Sequence, residues 1–410
     1  MVAHSATLAM NERVQARRAR GERVLHLGFG EAGLPVLPEV ADVLAGAASA
    51  NSYGPVVGSL RARAAAAGYF DRRGLPTDAD QILLAPGSKP LLFALLAVLP
   101  GDLVLPQPSW VSYAAQAALV GKHVLPVPIP ESAGGLPDPD RLAAALDQPE
   151  NRGAGILILT LPDNPTGTLP DAGLVKQVCE VADRYQLMVI SDEIYRDLCY
   201  DPDDHLSPAT LIPDRTVVTS GLSKSVALGG WRIGFARTPG GAASDLGQAL
   251  SGVASEVWSA LAAPMQEVAA YVLDEPPSIV DHVAASRRLH EAVATAVHQC
   301  FTGAGAHCRK PTAAFYLYPD FESIRGVLAE QGIRTGDQLC VHLLDRHGVA
   351  VLPGTAFGDD PEALRFRVAT SLLYGAGDQR WDAVRAARPT HLPWIADAFD
   401  SLGDVLGRLV

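Results

Sequence analysis

The chain has 410 residues, with 33 Lys and Arg against 45 Asp and Glu, a formal charge of −12 at pH 7 with histidine neutral. No basic run suits a polyanion, and the densest cluster, Arg13, Arg17, Arg18 and Arg20, reads as the solvated side of a helix, so nucleic acid is not expected as a partner. With 48% apolar and 19% charged residues the chain packs a core, yet no apolar run approaches the roughly 18 residues of a membrane span, so no membrane partner is expected either.

The start shows no apolar signal-peptide core, and Cys179, Cys199, Cys300, Cys308 and Cys340 are scattered without a CxxC. A cytosolic, cytoplasmic protein with inert buried thiols, no disulfide framework and no metal knuckle is therefore expected. The length allows two domains.

Val24 to Leu27 reads as a strand, and Gly28, Gly30 and Gly33 after it spell G-x-G-x-x-G. That fingerprint needs a helix where Pro35 and Pro38 stand, and an acid about twenty residues on, where Ala48 to Ser52 has none. A nicotinamide cofactor is rejected, and these glycines are read as letting the backbone turn and approach a small ligand.

From about residue 80 to 240, aliphatic strands alternate with helical patterns, the mark of a parallel α/β sheet. Strands are expected at Gln81 to Leu84, Leu103 to Leu105, His123 to Val127, Gly155 to Leu161, Leu187 to Ser191, Thr216 to Thr219 and Ile233 to Ala236. Helices are expected at Pro90 to Leu99, Ser109 to Val120 and Asp171 to Tyr185.

Between the first strand and its helix, Pro86-Gly87-Ser88-Lys89 offers backbone amides of the kind that bind phosphate. Trp110 opens the next helix and suits stacking on a flat cofactor, or a place in the core. Two prolines hold Asn164 in Pro162-Asp163-Asn164-Pro165-Thr166-Gly167, a rigid frame for an amide donor and equally a plain β-turn.

Ser191-Asp192-Glu193-Ile194-Tyr195 ends an apolar strand in an acid, where ligands of parallel sheets bind. A buried Asp192 needs a cation such as a protonated pyridine nitrogen, unless it is a helix N-cap, and Tyr195 can donate to a phenolate oxygen on the same ring. In Ser220 to Gly234, Lys224 stands among Leu222, Val226, Ala227, Leu228 and Trp231. A lysine so desolvated loses charge and becomes the nucleophilic amine a Schiff base requires, with Arg232 beside it for a phosphate.

Beyond Pro276-Pro277 the chain reads as an α+β block: a long amphipathic helix from Ser278 to Cys300, a strand from Ala314 to Tyr318 and a helix from Gly336 to His347. A hairpin-like pair follows around Val349 to Leu352 and Leu364 to Ala369, then a terminal helix after Leu392.

These motifs in this order resemble the class I/II aminotransferases, pyridoxal-phosphate enzymes of fold type I, and within them the prokaryotic aspartate aminotransferase branch. The resemblance begins at Ser5-Ala6-Thr7-Leu8-Ala9-Met10, continues through Gly30-Glu31 and Tyr53-Gly54-Pro55, and returns at Val351 to Thr355 and Leu364 to Ser371. It implies a large domain over 41–277 with a mainly parallel seven-stranded sheet, and a small α+β domain made of 1–40 together with 278–410. It further implies pyridoxal 5'-phosphate as cofactor, amino-acid and 2-oxo-acid substrates, and a homodimer.

Carried over by position, Lys224 resembles the Schiff-base lysine, Asp192 the pyridinium partner, and Tyr195 with Asn164 the ligands of the ring oxygen. Trp110 matches the stacking aromatic, which with Asn164 also meets the substrate. Phosphate falls to Ser88, Lys89, Arg232 and, from a second subunit, Tyr53. Arg365 in Leu-Arg-Phe-Arg-Val-Ala-Thr-Ser matches the clamp on the substrate α-carboxylate, helped by Gly30, and Arg367 is expected further from the site.

A lysine at the place of Lys89 points to an acidic amino acid first, with an aromatic or specialised one next. Three features depart from the family pattern: Gly221 where a phosphate-binding hydroxyl is usual, for which Ser220 or Ser223 can compensate; Ala313 in place of a glycine; and an extra segment at 372–393. Another fold type I reaction, by a decarboxylase, β-lyase or oxidase, would use the same cofactor residues. A DNA-binding regulator would need a module that the short stretch before the first strand does not provide.

Overall fold

The computed structural model describes residues 6–409. Seven strands form its main sheet: β1 (Ile82–Ala85), β2 (Asp102–Gln107), β3 (Val124–Pro128), β4 (Ala154–Thr160), β5 (Met188–Asp192), β6 (Thr216–Gly221) and β7 (Gly234–Arg237). Each lies where an aliphatic run predicts it. Their spatial order is β1-β7-β6-β5-β4-β2-β3.

In β4, Ile156 and Ile158 pack into one core with Leu92 and Leu95, while Leu157 and Leu159 pack into another with Val175 and Val178. Successive strand side chains point to opposite faces, so a strand covered on both faces is apolar throughout. The helix over Ala172–Arg184 supplies one cover and starts where the Asp171 side chain accepts from the Leu174 amide.

Only β7 runs antiparallel to its neighbours, β1 and β6. The link from β6 to β7 holds a four-residue helix, Leu222–Ser225, and a single 3₁₀ turn, Gly229–Trp231. So short a link does not make the usual parallel crossover, and the chain turns back beside itself.

A second unit forms around the 27-residue helix Pro277–Gly303, whose Leu289, Val293, Val297 and Phe301 make a buried stripe one turn apart. Leu27 and Leu34 share that core with Phe366, Ile395 and Leu402. Leu25–His26 pairs parallel with Val349–Ala350, and Leu352–Pro353, Phe366–Ala369 and Tyr316–Leu317 form a three-stranded antiparallel sheet. The hairpin read from sequence is thus split: Val349 and Ala350 pair with the N-terminal strand, and only Leu352, with Pro353 beyond it, pairs with Phe366–Ala369.

The segment at 372–393 folds into the end of a 3₁₀ turn (Ser371–Tyr374), a helix (Gln379–Arg385) and another 3₁₀ turn (Pro389–His391). It covers the long helix, with Tyr374 Oη 2.6 Å from His290 Nδ1 and the Trp381 ring 6.2 Å from that of His282. The five cysteines are free thiols. Among the described residues no helix is long and apolar enough to cross a membrane. Ser5 lies outside the described residues.

Candidate active site

A cavity of about 560 Å³ opens at the carboxyl ends of the strands, lined by Thr160 of β4 and Asp192 of β5 as their last residues. Lys224, Asp192, Tyr195, Asn164, Trp110, Ser88, Lys89, Arg232 and Gly30 all line it. Motifs spread from residue 30 to residue 232 therefore meet in one place.

Lys224 sits in the four-residue helix after β6, between buried Leu222, Val226 and Leu228. Its Nζ donates to the Gly30 carbonyl at 2.5 Å and lies 5.9 Å over the Tyr195 ring. Burial first, then the Arg367 charge, pulls its pKa down to about 8, against the pull of Glu31. Gly221, just before, is required for a packing reason: a Cβ there would lie 2.7 Å from the Ile233 carbonyl oxygen.

Asp192 is buried, and Tyr113 donates its hydroxyl to Oδ2 at 2.8 Å while standing 2.9 Å from Thr160 Oγ1. Desolvation pushes Asp192 up to about 6, although the Tyr113 hydrogen bond works the other way. Its helix-capping alternative is not realised, since no helix starts there. Among the described residues Asp192 has no cationic partner.

Asn164 is held by its loop, where Asp163 accepts from the Thr166 amide at 3.1 Å and from its hydroxyl at 2.6 Å. The Asn164 Oδ1 accepts from Arg367 Nη1 at 3.1 Å, which turns the NH₂ group away from that contact. Arg367 also donates to the Gly28 carbonyl at 2.9 Å, is 1% exposed and lines the cavity. Its Nε is buried without a partner, and among the described residues it faces no carboxylate.

Arg365 stands elsewhere, which corrects the expectation from sequence. Its Nε donates to Asp320 Oδ2 at 2.7 Å and Nη1 to Asp359 Oδ1 at 3.2 Å, beside a separate cavity of about 400 Å³. Arg365 and Arg367 share a strand face, so alternation could not separate them. Tertiary placement does, because only the residue two further along reaches the main cavity.

At the other end, the helix Ser88–Val98 starts at the cavity wall after Gly87, whose φ of 92° suits glycine. A Cβ on Gly87 would lie 2.1 Å from Arg232 Nη2, so the guanidinium fits against bare backbone. Lys89 lies 5.2 Å over the Trp110 ring, and burial followed by the Arg232 charge lowers its pKa. Ser223 lines the cavity, whereas buried Ser220 turns its hydroxyl to the Glu193 carbonyl at 3.5 Å, so Ser223 is the hydroxyl available beside Gly221.

Tyr195 Oη lies 2.9 Å from Tyr316 Oη. Tyr53 is 95% exposed and outside its own chain's cavity. Tyr113, Tyr316, Arg367, Glu31, Thr7 and Phe29 line the cavity without having been assigned from sequence. Tyr113 had a signal, standing three residues after Trp110 on one helix face; the others depend on contacts with distant elements.

The family model "Aminotransferase class I and II" matches residues 22–372. The chain belongs to this family. It is 33% identical over 383 residues (90% of this chain, 78% of the relative) to the bifunctional aspartate aminotransferase and glutamate/aspartate-prephenate aminotransferase of Petunia hybrida. To the aspartate aminotransferase of Geobacillus stearothermophilus it is 32% identical over 378 residues, 90% and 92% of the two chains. Among solved structures, aspartate aminotransferase from Thermus thermophilus with maleate matches with a TM-score of 0.81 at 26% identity, covering 93% of this chain and 96% of that one. That from Rhizobium meliloti gives 0.80 at 27% identity over 98% and 97%.

The fold is thus fold type I and the protein a pyridoxal-phosphate-dependent aminotransferase. The residues present fit that cofactor. A buried carboxylate without a cation, a lysine of lowered pKa and an arginine against a bare glycine share one cavity, and they match a pyridinium, a carbonyl carbon and a phosphate. Among the described residues no His, Cys, Asp and Glu cluster into a metal site.

Proposed function

We propose that this aminotransferase moves the amino group of an acidic L-amino acid, aspartate or glutamate, to a 2-oxo acid, with Arg367 as the α-carboxylate clamp. One observation carries the reading: Asp192 and Arg367 are two buried, unpaired charges of opposite sign in a single cavity. Isolated buried charges are costly, and a ligand carrying a ring cation and a carboxylate relieves both.

Bound pyridoxal phosphate supplies a conjugated ring that accepts the electrons left on the substrate Cα when its proton departs. Asp192 holds a proton at the ring nitrogen, steadied by the Tyr113 hydroxyl. Tyr195 and the Asn164 amide would donate to the ring oxygen, and Trp110, which lines the same cavity, would cover the ring. Ser88, Ser223, the helix start and Arg232 hold the phosphate, with Lys89 nearby. Lys224 would hold the cofactor and, once freed as an amine, would take up the proton that leaves the substrate Cα; a pKa near 8 keeps a share of it neutral. Arg367 and the backbone of Gly30 orient the substrate.

For the side chain, Lys89 is an ammonium in the cavity with no carboxylate partner among the described residues, which favours an acidic substrate. The relatives' names point the same way. Residues 41–277 are read as the cofactor-binding domain and 1–40 with 278–410 as the second, supported by the core that Leu27 and Leu34 share with Phe366 and Ile395. Exposed Tyr53 and Leu60 support a homodimer in which Tyr53 reaches the other subunit's phosphate. Free thiols suit a reducing cytoplasm.

The test is a half-reaction on purified, cofactor-loaded protein. Aspartate or glutamate is expected to convert the visible absorbance band to that of the pyridoxamine form and release one 2-oxo acid, and a 2-oxo acid to reverse it. Lys89→Gln is expected to lower kcat/KM for acidic donors at least about tenfold while uncharged donors change less than about threefold. Release of CO₂ or an eliminated side chain, without pyridoxamine, refutes the transaminase reading.

A further inference from the structure

Tyr316 enters the cavity from the small antiparallel sheet and touches three groups at once. Its hydroxyl is 2.9 Å from that of Tyr195 and 3.5 Å from the Gly30 carbonyl, and the Arg367 guanidinium carbon lies 4.9 Å over its ring. The ring is buried and packed 4.7 Å from Phe315 and 5.5 Å from Tyr195, so the hydroxyl has little freedom.

Two proton arrangements satisfy the pair. In one, Tyr195 donates to Tyr316, which donates to the Gly30 carbonyl. That last contact is long, and Lys224 Nζ already donates to the same oxygen at 2.5 Å. In the other, Tyr316 donates to Tyr195 and leaves the Tyr195 proton free for the cavity, the direction an anionic ring oxygen demands. A cation over the Tyr316 ring withdraws electron density and strengthens it as a donor.

We propose that Tyr316 is a positioning residue that couples Arg367 to Tyr195: it donates to the Tyr195 hydroxyl, aims that proton at the cofactor's ring oxygen, and weakens as a donor when a substrate carboxylate neutralises Arg367. The link is a second arm beside the Arg367–Asn164 hydrogen bond, and it rests on reading Arg367 as the carboxylate site. Charged groups facing the pair are Arg367 from the small sheet, Asp192 from β5 and Lys224 from the helix after β6, its Nζ 5.9 Å over the Tyr195 ring, with Glu31 and Arg232 acting on Lys224.

The experiment is a pH titration of the visible band of cofactor-loaded protein, alone and with maleate as an unreactive dicarboxylate. A weaker donor leaves more charge on the ring oxygen, which holds the titrating proton more tightly, so the midpoint rises. Tyr316→Phe is expected to raise the maleate-free midpoint by about 0.5–1 pH unit, the size of one hydrogen bond, and to cut the maleate-induced rise to about half or less. kcat should fall more than KM changes. Tyr316→His, which keeps a polar ring, should recover part of the maleate response.

A midpoint and maleate response equal to wild type in Tyr316→Phe overturn the proposal. Arg367→Ala separates the two levels. If it abolishes the maleate response while Tyr316→Phe keeps it whole, only the Tyr316 link fails. If the response survives Arg367→Ala, the carboxylate assignment falls and takes the coupling with it.

Discussion

Arg367 on the small antiparallel sheet donates to Asn164 in the loop after β4, Nη1 lying 3.1 Å from Oδ1. The contact uses the amide oxygen and leaves the NH₂ group for the cavity, so one hydrogen bond orients both the cation proposed to bind the substrate carboxylate and the amide proposed to donate to the ring. Arg365, two residues earlier, makes neither contact because Asp320 and Asp359 hold it.

The two arginines should therefore separate cleanly. Arg367→Ala is expected to lower kcat/KM for every amino donor by about 10²–10³, the effect of removing one partner of a buried charge pair. Arg365→Ala, whose side chain is 40% exposed, is expected to stay within about threefold and to cost about 1 kcal/mol of stability or less. Steady-state kinetics on two donors decides it; a large loss in Arg365→Ala with little change in Arg367→Ala would return the clamp to Arg365.

Asp192 gives a pH signature in the cofactor-free protein. Its carboxyl titrates near 3.9 in an unfolded chain and near 6 in the folded one, so the native state binds the proton more tightly. Its contribution is favourable below about pH 4 and is lost as pH rises through about 6. Cofactor-free Asp192→Asn should be more stable than wild type by about 2–3 kcal/mol at pH 8, with the gap closing toward pH 4. Urea unfolding at both pH values checks this. Cofactor should reverse the order, because the mutant lacks the partner for the ring nitrogen.

Lys224 should carry the cofactor. Borohydride reduction of the loaded protein, then digestion and mass spectrometry, is expected to locate the label on the peptide containing Lys224. Lys224→Ala should lose at least about 10³ in kcat. A visible protein-bound band surviving in Lys224→Ala would falsify the assignment.

Gly87 is predicted to matter for phosphate rather than for folding. An alanine there meets a positive-φ extended backbone that suits only glycine, costing about 1–3 kcal/mol, and its Cβ would clash with Arg232 Nη2 and displace the guanidinium. Cofactor affinity should drop at least about tenfold by equilibrium titration. Gly46→Ala, with open space around the added carbon, serves as the control and should bind normally.

By itself the sequence determined the layered fold and most of the site. Buried strands read as continuous aliphatic runs, so β1 to β7 were visible, and Lys224, Asp192, Tyr195 and Asn164 stand in short local frames whose chemistry each frame implies. Tertiary structure decided what depends on distant partners. β7 reverses because of how its short link folds, and Val349–Ala350 pairs with Leu25–His26 from the far end of the chain. Tyr113 reaches Asp192, Tyr316 reaches Tyr195 and Arg367 reaches Asn164 from 79, 121 and 203 residues away. Periodicity tells which face of an element a side chain occupies. It does not tell which point of that face meets the cavity, and that is why Arg367, rather than Arg365, could be singled out only once the chain was folded.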